Sequence, residues 1–179
     1  MIFFGHIGLT LLVVLALASL IKENVDYRLV VVGSMLPDII DKPIGHYLFY
    51  STFENGRIFA HTMAFAILLT GVCIYVERRQ LLAGARFIAL ASILHIIEDQ
   101  MWNTRQTLFW PLLGWEFPKA NLDNYFGNIL DELIHDPKVY TPEIAGFIVI
   151  IAFIWHFQLY RPENAAVFAR TGKFVGPGV

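Results

Sequence analysis

Five side chains able to bind a metal sit at the ends of apolar segments, where ionisable groups are costly. His6 stands near the start of one segment, and Asp38 follows Pro37 with Asp41 three residues on. His61 opens another segment, with Arg57 four residues before it, and His95 and Asp99 close one more. Neutral imidazoles and carboxylates in this mixture suit zinc, with Mn2+ or Fe2+ as alternatives. His95 and Asp99, four positions apart, share one face if the chain there is helical. That spacing lets both reach one ion, or lets Asp99 only orient the imidazole. The second use is commoner in soluble chains, whereas inside a membrane ionisable groups are functional by default.

Asp38 and Asp41 could cap a helix start. As chemistry, Asp38 is an oxygen ligand or the general base acting on water. Arg57 could snorkel to headgroups, or hold phosphoryl oxygens and stabilise developing negative charge. If its turn is helical, Arg57 faces the same way as His61. His6 beside Gly5 would alone be a packing detail, and its place among the others makes it the fifth candidate ligand. Five ligands exceed what one tetrahedral zinc needs, so one ion or two can be held. Asp41 and His46 are candidates to hydrogen-bond those ligands from behind. His135, near Asp131 and Glu132, reads as part of a polar helix face, and His156 as structural.

The elements that must position these groups are strongly apolar. A hydrophobic fraction of 56% with only 16% charged residues exceeds a soluble domain's usual share. A net charge of −2 and no basic run remove any reason to expect a nucleic-acid partner. The single Cys73 excludes an intrachain disulfide and reads as a buried, inert thiol. Residues 3–21, 58–76, 81–97 and 143–160 are each long enough to cross about 30 Å of hydrocarbon. Residues 27–36 rise only about 15 Å, which makes a half-span unless Asp38 to Asp41 continue it. The expected fold is all-α: a polytopic membrane bundle of four full spans and one half-span, forming a single domain over residues 1–179. No basic residue precedes the first apolar run, so it is expected to be retained as a span rather than removed as a signal peptide.

Threading the spans back and forth puts all five candidate ligands on one side of the bilayer. The opposite side collects Lys22, Arg28, Arg78, Arg79, Arg86, Arg161, Arg170 and Lys173, against Lys42, Arg57, Arg105, Lys119 and Lys138 beside the ligands. The positive-inside rule then places the ligands on the outer face of the cell membrane and the C-terminus in the cytoplasm. Residues 100–142 form an extramembrane loop rich in aromatics, including Trp102, Trp110 and Trp115, with an interfacial helix expected at 122–135. Residues 171–179 are expected to fray.

The ordered set Gly5-His6, Gly33-Ser34-Met35-Leu36-Pro37-Asp38 with Asp41, Arg57 to His61-Thr62, His95 to Asp99, then Trp110-Pro111 resembles the YdjM-type membrane-bound metal-dependent hydrolases. The resemblance covers about residues 1–115. It implies a multi-span inner-membrane protein with hydrolytic activity. The family's usual His-Arg or Arg-Gly before Thr-His-Ser appears here as Gly56-Arg57-Ile58-Phe59-Ala60-His61-Thr62-Met63, and the change from Ser to Met at the last position keeps the histidine and changes its surroundings. A more distant similarity is to the zinc-dependent phospholipase C and single-strand nuclease superfamily. That likeness implies His6, His61, His95 and Asp99 as ligands, with Asp38 a ligand or the base. The superfamily's further zinc-binding set has no clear counterpart here beyond Glu132 and His135.

The expected function is metal-dependent hydrolysis of a phosphoester in a lipid or lipid-linked molecule, through water activated by the metal. Two other classes use the same residue types. One is a transporter of divalent metal or protons, although the polar groups cluster at one end instead of tracing a path across. The other is a non-catalytic scaffold whose helices are pinned by metal.

Overall fold

An apolar run free of proline propagates as one helix, α1 (Phe4–Ile21). It ends at Lys22, whose left-handed backbone turns its N–H onto the Ala18 carbonyl. Asp26 then caps α2 (Tyr27–Pro43) by accepting from the Arg28 N–H at 3.1 Å. The computed structural model describes residues 1–119 and 125–174. After α2 come a π-helical turn at Ile44–Leu48 and a short α3 (Tyr50–Phe53). A loop ends at the Thr62 cap of α4 (Met63–Arg78), and α5 (Arg86–Glu98) returns. A 3-10 turn, Met101–Asn103, and α6 (Arg105–Leu108) open the aromatic segment. It leads to α7 (Tyr125–His135), α8 (Pro137–His156) and α9 (Pro162–Thr171). Among the described residues there is no strand.

The expected half-span is a full helix instead. Pro37 has no N–H for the Gly33 carbonyl one turn back, which in an isolated helix would leave that oxygen unpaired. Here the Ser92 hydroxyl of α5 donates to it at 2.9 Å. Gly33 also lacks a Cβ, which would collide with the backbone of Ile88, so α5 approaches closely enough to make that bond. α2 therefore continues through Pro37 and carries Asp38 and Asp41 in its last turns.

Among the described residues, only two helices, Phe4–Ile21 and Pro137–His156, are long and apolar enough to cross a membrane by length and composition. The expected spans at 58–76 and 81–97 are shorter than predicted. Residues 57–62 form a loop, and α5 does not begin until Arg86, so α4 has 16 residues and α5 has 13. The last long helix begins earlier than residue 143, because Asp136 caps it and Pro137 suits its first turn.

α1 packs on α8 and α2, α2 on α5, and α5 on α4. Gly8 and Gly146 face each other so closely that a Cβ on either would overlap backbone of the other helix. Ile7, Leu11, Val14, Val30 and Phe153 form the main core between them. Apolar side chains also point outward, among them Leu12, Leu17, Ile67, Leu68, Ile148 and Ile151.

The interfacial helix expected at 122–135 corresponds to α7, with 122–124 outside the described residues. The tail does not fray from Thr171. Phe174 stacks on Phe157 and Phe168, and the Gly172 carbonyl accepts from the Tyr27 N–H at 2.9 Å. Residues 175–179 of that expected tail lie outside the described residues.

Candidate metal centre

Alternating helix directions bring one end of each element together. His6 lies in the first turn of α1, Asp38 and Asp41 in the last turns of α2, and His61 just before α4. His95 lies in the last turn of α5, with Asp99 directly after it. All five candidate ligands converge, and the three imidazoles are fully buried.

Each imidazole is held from behind. The Asp41 carboxylate accepts from His61 Nδ1 at 2.7 Å, and the Ser34 carbonyl accepts from His95 Nδ1 at 2.6 Å. Glu98 Oε2 takes His6 Nδ1 at 3.0 Å, while its other oxygen accepts from Thr10 Oγ1 at 3.0 Å. These partners are acceptors, so Nδ1 carries the proton in each ring and Nε2 presents a lone pair. His61 Nε2 and His95 Nε2 then face each other at 3.2 Å. A proton or a cation must lie between two such lone pairs.

The surrounding carboxylates favour a cation. Asp38 Oδ1 lies 3.6 Å from His61 Nε2 and 3.8 Å from His95 Nε2, and Asp99 Oδ2 lies 3.7 Å and 4.0 Å from the same atoms. Ligands ~2.0–2.1 Å from a tetrahedral zinc stand about 3.3 Å apart. The observed spacings run from 3.2 to 4.0 Å, so these residues would fit such an ion after the carboxylates close in by up to about 0.7 Å. His6 Nε2 is buried without a hydrogen-bond partner, 3.3 Å from Asp99 Oδ1. Asp99 thus turns one oxygen to His6 and the other to the His61–His95 pair. The donor atoms of His6, Asp38 and His95, and those of His61, His95 and Asp99, each lie within 4.8 Å of one another.

Cations balance the carboxylates. Arg57 Nε donates to Asp99 Oδ2 at 2.7 Å, the Met1 amine donates to Asp99 Oδ1 at 3.0 Å, and Lys42 Nζ donates to Asp38 Oδ2 at 2.6 Å. Burial alone would raise the Asp99 carboxyl. The positive charges of Arg57 and the amine beside it outweigh that and hold Asp99 well below the usual carboxylate range.

Arg57 and His61 do not share a helix face. Residues 54–62 are a loop, and Asp41 organises it by accepting from the N–H groups of Ile58 at 2.8 Å, Ala60 at 2.9 Å and His61 at 3.2 Å. Asp41 therefore sets the backbone and the ring of His61 at once. His46 lies in the π-helical turn after α2. It packs against Gly56, where a Cβ would overlap its ring, and burial with Lys42 nearby lowers its pKa. The aromatic segment rests on the same loop, with Phe59 against Trp110 and Phe117. His135 pairs with Asp131 at 3.0 Å on the exposed face of α7, and His156 is exposed.

Sequence reasoning missed Glu98, the Ser34 carbonyl, Lys42 and Glu143. Glu143, buried in α8, accepts from the N–H groups of Ile2 at 2.6 Å, Phe3 at 3.1 Å and Phe4 at 2.8 Å. These are open donors at the start of α1, so Glu143 caps that helix from outside and fixes the turn bearing His6. The only sequence signal for it was a carboxylate beside an apolar run.

A helical chain that turns apolar side chains outward and encloses a His/Asp cluster at one end of its helices defines a class of helical membrane proteins. The chain belongs to the YdjM inner membrane protein family, whose model matches residues 1–165. No match to it is found among curated proteins or solved structures. The distant likeness to the zinc-dependent phospholipase C superfamily finds no support among them.

Proposed function

We propose that this protein is a metal-dependent hydrolase of the inner membrane that cleaves a phosphoester in a lipid or lipid-linked substrate. The observation that carries the reading is the common arrangement of His6, His61 and His95. Each ring has its Nδ1 held by an acceptor and its Nε2 turned inward toward Asp38 or Asp99. Conserving shape alone would not require three buried imidazoles to present lone pairs to one place.

His61, His95 and Asp99 would hold the first ion and leave a position for water beside Asp38, and His6 with the second oxygen of Asp99 offers a position for another ion. Zinc suits this donor set best, with Mn2+ or Fe2+ as alternatives. A bound divalent ion lowers the pKa of water toward neutrality and polarises a phosphoryl oxygen. Asp38 keeps one oxygen on Lys42 and turns the other into the site, where it can accept a proton from the attacking water. Arg57 uses Nε on Asp99, and its side chain is 43% exposed, which leaves guanidinium N–H groups for phosphoryl oxygens. Asp41, Glu98 and the Ser34 carbonyl keep the rings in the tautomer that binds.

In this reading α1, α4, α5 and α8 cross the bilayer, and α2 runs among them with its last turns at the site. The site faces the outer side and the C-terminus the cytoplasm, as the excess of Lys and Arg at the other helix ends supports. Impermeant thiol labelling of single cysteines at residues 47 and 79 tests the orientation, with only the first reacting in intact cells.

Metal analysis of the purified protein, followed by a phosphodiester and phospholipid panel, tests the activity. His95→Ala and Asp99→Asn are each expected to lose both metal and turnover. Full turnover by metal-free His95→Ala protein would end the proposal. Metal-dependent stability without turnover on any substrate would favour the scaffold, and metal flux in sealed vesicles would favour the transporter.

A further inference from the structure

Two apolar hollows outside the ion site meet at Trp102, which lines both. One, of about 420 Å³, runs between α4 and α5 and is lined by Met63, Ala66, Thr70, Ile93, Ile97 and Trp102 among others. The second, of about 520 Å³, is lined by Trp102, Phe109, Leu112, Leu113 and Arg105. In the first hollow the hydroxyl of Thr70 donates to the Ala66 carbonyl at 2.7 Å, so its polar atom is already used. In the second, Arg105 is the one charged side chain.

Two features select the occupant. The groove starts at the ligand-bearing ends of α4 and α5: Met63 follows His61 by two residues and Ile96 follows His95 directly, although none of the five ligands lines it. From Met63 to Thr70 it extends along about 10 Å of helix away from the ion-binding end. Arg105, in turn, is exposed and has no carboxylate partner among the described residues, unlike Arg28, Arg57 and Arg86. A cation beside an apolar hollow, at the helix ends where an interface would lie, complements an anionic headgroup joined to an acyl chain.

We propose that the α4–α5 groove holds an acyl chain of an anionic phospholipid whose headgroup charge is met by Arg105, next to the metal centre. Its catalytic meaning rests on the hydrolase reading, because a lipid held there would offer its phosphoester to that centre. Binding itself does not depend on turnover. Trp102, half exposed and shared by both hollows, separates chain from headgroup, as interfacial tryptophans do.

The test uses the full chain in phosphatidylcholine nanodiscs with two photoreactive probes, phosphatidic acid and phosphatidylcholine bearing the same diazirine acyl chain. The expected result is that adducts of the phosphatidic acid probe concentrate on residues 63–70, 93–97 and 102, severalfold above the outward faces of α1 and α8. Ala66→Trp, which fills the groove, removes most of them. Arg105→Gln, an exposed change that spares packing, lowers labelling by phosphatidic acid about fivefold and leaves phosphatidylcholine labelling unchanged. Even labelling around the helices, or an equal effect of Arg105→Gln on both probes, would overturn the proposal. Selective labelling in a protein that hydrolyses no phosphoester would keep the lipid site and remove the hydrolase reading. Even labelling with turnover of a soluble phosphodiester would do the reverse.

Discussion

Replacing Asp41 by Asn keeps the side chain's shape while removing its charge and half its accepting capacity. In the native site Oδ2 accepts from the Ile58, Ala60 and His61 N–H groups and from His61 Nδ1, while Oδ1 takes a second share of the Ala60 N–H. The best amide orientation puts its oxygen where Oδ2 was, leaving an NH2 group facing the Ala60 N–H. Hydrogen bonds to a charged acceptor are worth ~1.5–3 kcal/mol and neutral ones ~0.5–1.5, so each converted bond loses about 1 kcal/mol. Four donors set a ceiling of about 4 kcal/mol, and sharing at Ala60 brings the expected loss to about 2–3 kcal/mol. His61 Nδ1–H would also donate to a neutral oxygen, making Nε2 a weaker ligand and lowering zinc affinity roughly 10- to 100-fold. Chelator competition measures the affinity, and tryptophan fluorescence during denaturation measures the stability. His135→Gln, on an exposed face, should change neither. If Asp41→Asn bound zinc within about threefold of wild type, or ~0.6 kcal/mol, with an unshifted unfolding midpoint, the supporting role of Asp41 would be refuted.

Other perturbations separate packing from chemistry. Gly8→Ala places a methyl against the Gly146 backbone and should cost ~1–3 kcal/mol or more, whereas Gly71→Ala, with open space around it, should stabilise α4 by ~0.5–1 kcal/mol. Opposite shifts of the thermal midpoint check the pair. Glu143→Gln leaves one of the three N–H groups of residues 2–4 without an acceptor, at a cost of ~1–3 kcal/mol. Faster amide exchange confined to the start of α1 is the expected readout, and unchanged exchange there would count against external capping. The hydrogen bond from Arg28 holds Asp26 below the usual carboxylate range. The stability from this pair is therefore fully present above about pH 4 and lost as pH falls through the lowered folded value. Protection of the Tyr27 amide, which donates to Gly172 at the end of α9, should be flat from pH 7 to about 5 and fall below about pH 4. Protection unchanged at pH 3 would remove that latch.

The candidate ligands were legible because ionisable residues beside long apolar runs are costly, and because alternating helix directions put those positions at one end. Helix continuity was less legible. Pro37 reads locally as a break, and only the Ser92 hydroxyl, reaching across from α5, makes a continuous α2 affordable in hydrogen bonds. Arg57 and His61 suggested a helical turn by spacing, yet Asp41 draws three backbone N–H groups of that stretch into a loop. Neighbours Glu98 and Asp99 look equivalent in a sequence. The seating of α5 against α1 sends one behind His6 and leaves the other among the inward nitrogens.

The sequence by itself determined the residue types of the site, its place at one end of a set of apolar helices, and the family to which the chain belongs. Hydropathy and spacing are local properties, so they can be read from neighbouring residues. Tertiary structure decided which nitrogen of each imidazole turns inward, which carboxylate stands behind and which within, and where α2 ends. Those outcomes depend on partners distant in the chain, such as Ser34 for His95, Glu98 for His6 and Glu143 for the first turn of α1. A proton's position on a buried ring is set by the acceptor it meets, and no local pattern names that acceptor.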